Sequence, residues 1–186
     1  MATVEEETAL LTAEEFAKRP DSGMVEELVR GVVVMSPPPG IRHGFVCLRL
    51  GKLLAIHVDD NDLGRVIGND AGTITERDPD SVRAPDVSYY SYERLPRGDL
   101  PIGYHATPPD LACEVRSPSD RWREVVAKVG EYLKAGVPVV VVLDPEKRKA
   151  HVFETDREPV ALGPDDVLRL ESVLPGFEAV VGDLFG

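Results

Sequence analysis

The chain is short of positive charge. Its 186 residues hold 21 Lys and Arg against 33 Asp and Glu, a net charge of −12, and that balance excludes broad, nonspecific attraction to nucleic-acid phosphates. A local basic face is compatible with it, since Arg83, Arg94, Arg97, Arg116, Arg121 and Arg123 crowd the middle of the chain, and any polyanion is expected there. Cysteine is equally scarce. Cys47 and Cys113 are the only two, with no Cys-x-x-Cys and no histidine cluster around them, which predicts structural thiols in place of a disulfide or a zinc site. No apolar run reaches the length of a membrane span, about 18 residues, and the opening MATVEEETAL lacks the basic and apolar segments of a secretory signal. The expected location is the cytoplasm, with no membrane partner.

Familiar catalytic signatures are missing too. GNDAGT lacks the Lys-Ser/Thr ending of a phosphate-binding loop, Ser117 and Ser119 have no Gly-x-Ser-x-Gly setting, and His43, His57, His105 and His151 form no His-x-x-x-His pair. Nucleotide loops, serine hydrolysis and zinc hydrolysis all lose support. Both serines fit a cap before the helix that follows them.

What remains is a soluble globular composition, 42% hydrophobic and 29% charged, with 16 Gly and 16 Pro implying many turns. The length suits one domain over residues 1–186, with a core from about 12 to 185. Thr12 with Glu15 is a reciprocal cap, predicting a short helix over 13–19 before Pro20. Strands are expected at 24–29 and 32–35, turned at Arg30-Gly31, and a helix at 41–58 with apolar positions Phe45, Leu48, Leu53, Leu54 and Ile56. Further strands are expected near 65–69, 71–76 and 82–90, then an irregular excursion over 91–109. A strand at 110–116, a helix at 120–135 stopped by Gly136, and the apolar VPVVVVLD form a strand-helix-strand unit with a parallel crossover. KAHVFET and residues near 159–162 add strands, and SVLPGFEAVVGDLF closes the chain.

Three acids lie in or beside apolar strands: Glu27 in VEELV, Asp86 after Pro85, and Glu114 in LACEV. A carboxylate facing inward needs a donor, a counter-ion or a metal, and hard cations such as magnesium favour oxygen ligands. Period-two alternation equally allows each to face solvent, and Asp86 to cap a turn. Lys128 lies on the polar flank of the 120–135 helix. It pairs with Glu124 at i,i+4, or it reaches back across the strand end to Glu114 to orient a water or offset phosphate charge. His43 follows the prolines at a predicted helix start, where it is a cap, an exposed ring or a phosphate contact.

The order EELVRGVVVMSPPPGIRH, RAPDVSYY, LACEVRSPSD, KVGEYLKAGVPVVVVLDP and a terminal LPGF resembles the Uma2 family of restriction-endonuclease-like proteins, within the PD-(D/E)XK nuclease-like superfamily, from about Thr12 to Phe185. The resemblance implies an α/β fold with a restriction-endonuclease-like mixed central sheet flanked by helices and a magnesium-type site at one edge. It places the PD motif on Pro85-Asp86, the second acid on Glu114, an additional acid on Glu27 and the post-proline histidine on His43. The superfamily lysine would fall at residue 116, which here is Arg116, and the resemblance moves its function to Lys128.

The activity implied is a metal-dependent nuclease hydrolysing phosphodiester bonds, with Mg2+ or Mn2+ held by Asp86, Glu114 and Glu27. Asp86, Glu114 and Lys128 are its catalytic candidates, and His43 and Arg116 its substrate contacts. Nucleic acid is the expected partner, DNA ahead of RNA, and a homodimer would supply one site for each strand. The alternative is a nuclease-like binding or interaction module without turnover. A two-carboxylate glycosidase would need a sugar-sized cleft with aromatic support.

Overall fold

The computed structural model describes residues 10–20 and 22–186, so nearly all of the acidic opening stretch lies outside the described residues. Helix α1, Ala13–Phe16, starts at the Thr12–Glu15 capping box. It is shorter than the 13–19 expected because Lys18 and Arg19 donate to the carbonyls three residues back, tightening the chain into turns before Pro20. Strands β1 (Val25–Val29) and β2 (Val32–Ser36) form the expected hairpin. Arg30 and Gly31 both take positive φ, 50° and 80°, the geometry of the two-residue turn that matches strand twist.

Helix α2, Ile41–Asp60, buries Val46, Leu50, Leu54 and Val58. The apolar stripe therefore differs from the one expected: Phe45, Leu48 and Ile56 are exposed. Steps of four carry Val46, Leu50, Leu54 and Val58 along one face, and Phe45, Leu48 and Ile56 lie off it.

The chain continues through β3 (Gly64–Gly68), β4 (Thr73–Glu76), β5 (Ser81–Arg83) and β6 (Val87–Ser91). The single strand expected over 82–90 is thus two strands, in different sheets. Pro85 lies between them, and a residue without an N–H interrupts a ladder. Ala84, Pro85 and Asp86 form the passage from one sheet to the other.

Strand β7 (Leu111–Val115), helix α3 (Trp122–Lys134) and strand β8 (Val139–Asp144) form the expected strand-helix-strand unit, with β7 and β8 parallel. Gly136, at φ 95°, ends the helix while its neighbour Val137 donates back to the Tyr132 carbonyl. Neither Ser117 nor Ser119 caps α3. The N-cap is Arg121, without a side-chain bond, and Asp120 Oδ2 instead accepts the Ser117 N–H. Strands β9 (Lys149–Glu154), β10 (Val160–Leu162), β11 (Val167–Leu170) and β12 (Leu174–Val180) and a short 3-10 helix, Val181–Leu184, complete the chain.

The main sheet has six strands in the order β10-β9-β8-β7-β6-β3, antiparallel except at β7–β8, and a second sheet runs β2-β1-β5-β4. Every residue of β8 is buried, as befits a central strand covered on both faces. Leu111, Cys113 and Val115 pack with Val46, Leu50 and Leu54 of α2, whereas Ala112 packs with Val129 and Tyr132 of α3. Alternation puts Glu114 on the α3 side with Ala112. This is the mixed sheet flanked by helices that the motif order implies. Among the described residues no helix is long and apolar enough to cross a membrane.

Candidate active site

A cavity of about 360 Å³ opens where the two sheets meet the ends of α2 and α3, and Glu27, His43, Asp86, Glu114, Arg116 and Lys128 all line it. Five separate segments deliver them: β1, the start of α2, the Pro85 passage, the end of β7 with its following residue, and the middle of α3.

Lys128 ties the acids together. Its Nζ lies 2.9 Å from Glu114 and 3.0 Å from Glu27, so it reaches back to the strand end. Tyr132, one helical turn further along and fully buried, donates its hydroxyl to Glu114 Oε1 at 2.7 Å, one of the two oxygens that Lys128 also touches. Glu27 also accepts from Arg83 at 2.8 Å and from the Ala84 N–H at 3.0 Å, and Arg83 continues to Glu131 at 2.6 Å. Asp86 accepts the Val115 N–H at 2.6 Å, which locks the passage to β7 one residue from Glu114. Its other oxygen stands 3.4 Å from His43 Nε2. The exposed-ring reading of His43 falls away, since only 12% of its side chain is exposed, and so does the cap reading, since Gly40 is the N-cap and no side chain bonds there.

Arg116 has other attachments. Its guanidinium binds Asp144 at 2.8 Å and the Asp120 carbonyl at 3.1 Å, so it braces the cavity wall.

The chain matches the Uma2 family model, described as "Putative restriction endonuclease", over residues 13–182. It belongs to the Uma2 family. Among the matching solved structures, one from Anabaena variabilis ATCC 29413, described as a "putative nuclease belonging to DUF820", is 22% identical, with 94% of this chain and 97% of that chain covered and a TM-score of 0.83. Identity at that level establishes the shared fold. No curated protein matches.

In this Uma2 chain the electrostatics follow from burial and like charge. Burial, with Asp86 and Glu27 nearby, pushes the Glu114 carboxyl up to about 7 in spite of Lys128. Glu27 goes the other way: burial opposes ionisation, but Lys128, Arg83 and the Ala84 N–H hold its carboxyl below the ordinary range. Lys128 is itself buried against its charge, yet the two carboxylates hold its ammonium well above the ordinary value. His43 is raised likewise, because the bond to Asp86 and its charge outweigh burial. The site thus keeps a cation at Lys128 and crowds acids around it.

The sequence reading passed over several of these groups. Tyr132 gave no polar signal, and Arg83, expected among arginines facing a polyanion, instead pairs with Glu27 and Glu131. Asp70 lines the same cavity, and burial beside Asp86 raises its carboxyl. Cys47 is not the isolated thiol expected: its Sγ lies 3.3 Å from His43 Nδ1. The signal was there as His43-x-x-x-Cys47, an i,i+4 pair once the segment is helical. Burial and the charges of Asp86 and Asp70 push that thiol far up, which disfavours it as a nucleophile.

Asp86, Glu114 and Glu27 all line one cavity, and carboxylate oxygens are the donors a hard divalent cation takes, but among the described residues the donor atoms that lie within 4.8 Å of one another are those of His43, Cys47 and Asp86.

Proposed function

We propose that this Uma2 protein is a metal-dependent nuclease that hydrolyses phosphodiester bonds, in DNA ahead of RNA. The observation that carries the reading is Lys128 bridging Glu114 and Glu27 in the cavity that Asp86 also lines. A binding module without turnover is the reading favoured if Glu27, Asp86 and Glu114 do not converge on one ion.

Asp86, Glu114 and Glu27 would hold Mg2+ or Mn2+. Such an ion supplies Lewis acidity at the scissile phosphate and an acidified water at neutral pH. Lys128 stays protonated, so it serves as a cation and donor: it orients the attacking water by hydrogen bonding and offsets charge developing on the phosphate oxygens. Attack forms the new P–O bond to water, whose proton passes to solvent, and the opposite P–O bond breaks as the leaving oxygen takes a proton from solvent. Tyr132 holds Glu114 in place, and Arg83 does the same for Glu27. His43, its imidazolium favoured by Asp86, contacts the substrate backbone. Arg116 stiffens the wall beside it and offers the substrate whatever donor capacity Asp144 leaves. Two copies of the chain would present two such sites to a duplex.

The test is cleavage of single- and double-stranded DNA and RNA in Mg2+ or Mn2+ by the native chain and by Asp86→Ala, Glu114→Ala and Lys128→Ala. Metal-dependent cutting lost in all three supports the reading and names the substrate. A native chain indistinguishable from the variants on every substrate returns the fold to the binding-module reading.

A further inference from the structure

Asp86 also faces a second cavity, of about 540 Å³, whose wall carries His43, Cys47 and Asp70 among apolar and glycine residues such as Leu48, Val66, Val87 and Gly51. His43 and Cys47 stand one turn apart on α2, with Sγ 3.3 Å from Nδ1, and His43 Nε2 lies 3.4 Å from Asp86 Oδ1. One donor atom from each of His43, Cys47 and Asp86 can be chosen so that all lie within 4.8 Å of one another. All three side chains are partly buried. Zinc bond lengths of about 2.0–2.3 Å in a tetrahedron separate neighbouring donors by roughly 3.3–3.8 Å. Whichever ring nitrogen of His43 binds the ion, one contact already falls near that range, Nδ1 to Cys47 Sγ at 3.3 Å or Nε2 to Asp86 Oδ1 at 3.4 Å, and the chosen donors of all three residues lie within 4.8 Å of one another.

The chemistry of this trio differs from that of the carboxylate set. Nitrogen, sulfur and oxygen donors together suit a borderline ion such as zinc, whereas magnesium prefers oxygen alone. We propose that His43, Cys47 and Asp86 form a seat for a zinc-type divalent ion, distinct from the magnesium-type set and sharing only Asp86 with it. The contrast between the two sets rests on the nuclease reading; the seat itself does not. Binding exchanges the Cys47 thiol proton for the ion, and the proton passes to solvent. The fourth position opens to the cavity, leaving room for water or a substrate oxygen. Because Asp86 cannot serve both ions fully, a zinc-type ion seated here competes with the magnesium-type site.

The experiment is titration of the full chain, thiols reduced, with Co2+ as a spectroscopic stand-in for zinc. The expected result is a sulfur-to-cobalt charge-transfer band with the strong visible bands of tetrahedral cobalt, saturating near one equivalent and abolished by added zinc. Cys47→Ser, shown by circular dichroism to be folded, should lose the sulfur band and weaken cobalt binding by at least about tenfold. His43→Gln should weaken it similarly, while Cys113→Ala and Glu114→Gln keep the band. No sulfur band in the native chain, or a band that survives Cys47→Ser, overturns the proposal. Loss of the band in folded Glu114→Gln overturns it as well, because the ion would then belong to the carboxylate set. A chain that cuts no nucleic acid would still give these bands, so the two readings fail separately.

Discussion

Lys128 on α3 and Glu114 on β7 meet at 2.9 Å across the face of the main sheet. The contact exists because Glu114 shares the α3 side of its strand with Ala112, and because Lys128 and Tyr132, one turn apart, both project onto that side. Lys128→Met is expected to lower metal-dependent cleavage by at least about a hundredfold, the scale of losing one donor aimed at developing charge. Lys128→Arg should not restore it, since a planar guanidinium cannot place one compact ammonium between two carboxylates. Single-turnover cleavage is the measurement, and native rates in either variant contradict the role.

Glu114 should couple metal binding to pH. Its folded value, about 7, lies above the ordinary 4.5, so the group's contribution to stability is fully present below 4.5 and fades as pH rises through 7. A cation at the carboxylates reverses that loss. Mg2+ or Mn2+ should therefore raise the melting temperature at pH 8 and much less at pH 5, where a proton occupies Glu114. Equal shifts at both values, read by thermal denaturation, would count against this arrangement.

Tyr132→Phe removes one hydroxyl and leaves the ring packed against Ala112, Val129 and Val140. The loss of its 2.7 Å bond to Glu114 should destabilise the fold by about 1 kcal/mol. If Tyr132 positions Glu114, the variant also binds Mn2+ more weakly, measured by calorimetry. An unchanged Mn2+ affinity would leave the hydroxyl with a purely structural role.

Asp144 is 1% exposed, and it accepts from Arg116 and from the Glu146 and Lys147 N–H groups. Burial opposes its charge, but the Lys147 N–H and Arg116 hold its carboxyl below the ordinary 3.8. Its contribution is therefore present above 3.8 and lost as pH falls through the lower folded value. Asp144→Asn turns an amide towards Arg116 and should cost about 1–3 kcal/mol at pH 7. Urea denaturation should show that difference shrinking towards pH 3.

The elements were largely legible because their signals are local. The Thr12–Glu15 cap, the Arg30-Gly31 turn, the Gly136 stop and the unbroken apolar run of β8 each act within a few residues, and the structure follows them. Mistakes arose where packing at a distance decides. Phe45, Leu48 and Ile56 are apolar, but the sheet beneath α2 selected Val46, Leu50, Leu54 and Val58. Residues 82–90 look continuous as a string, yet Val82 pairs with Leu28 while Val87 pairs with Cys113.

The candidate site divides in the same way. Acids in apolar strands, a lysine on the next helix and the order of the motifs were all present in the string, because burying a carboxylate demands a partner wherever it happens. Which partner it finds is a matter of where the elements pack. Lys128 could have closed on Glu124 within its own helix; the placement of α3 over β7 gave it Glu114 and Glu27 instead. His43 gained Asp86 because the Pro85 passage crosses the start of α2, and Cys47 followed from the helical turn that stands it beside His43. Residue chemistry is carried by the chain itself, whereas distances between side chains tens of residues apart exist only after the sheets and helices have buried their apolar faces.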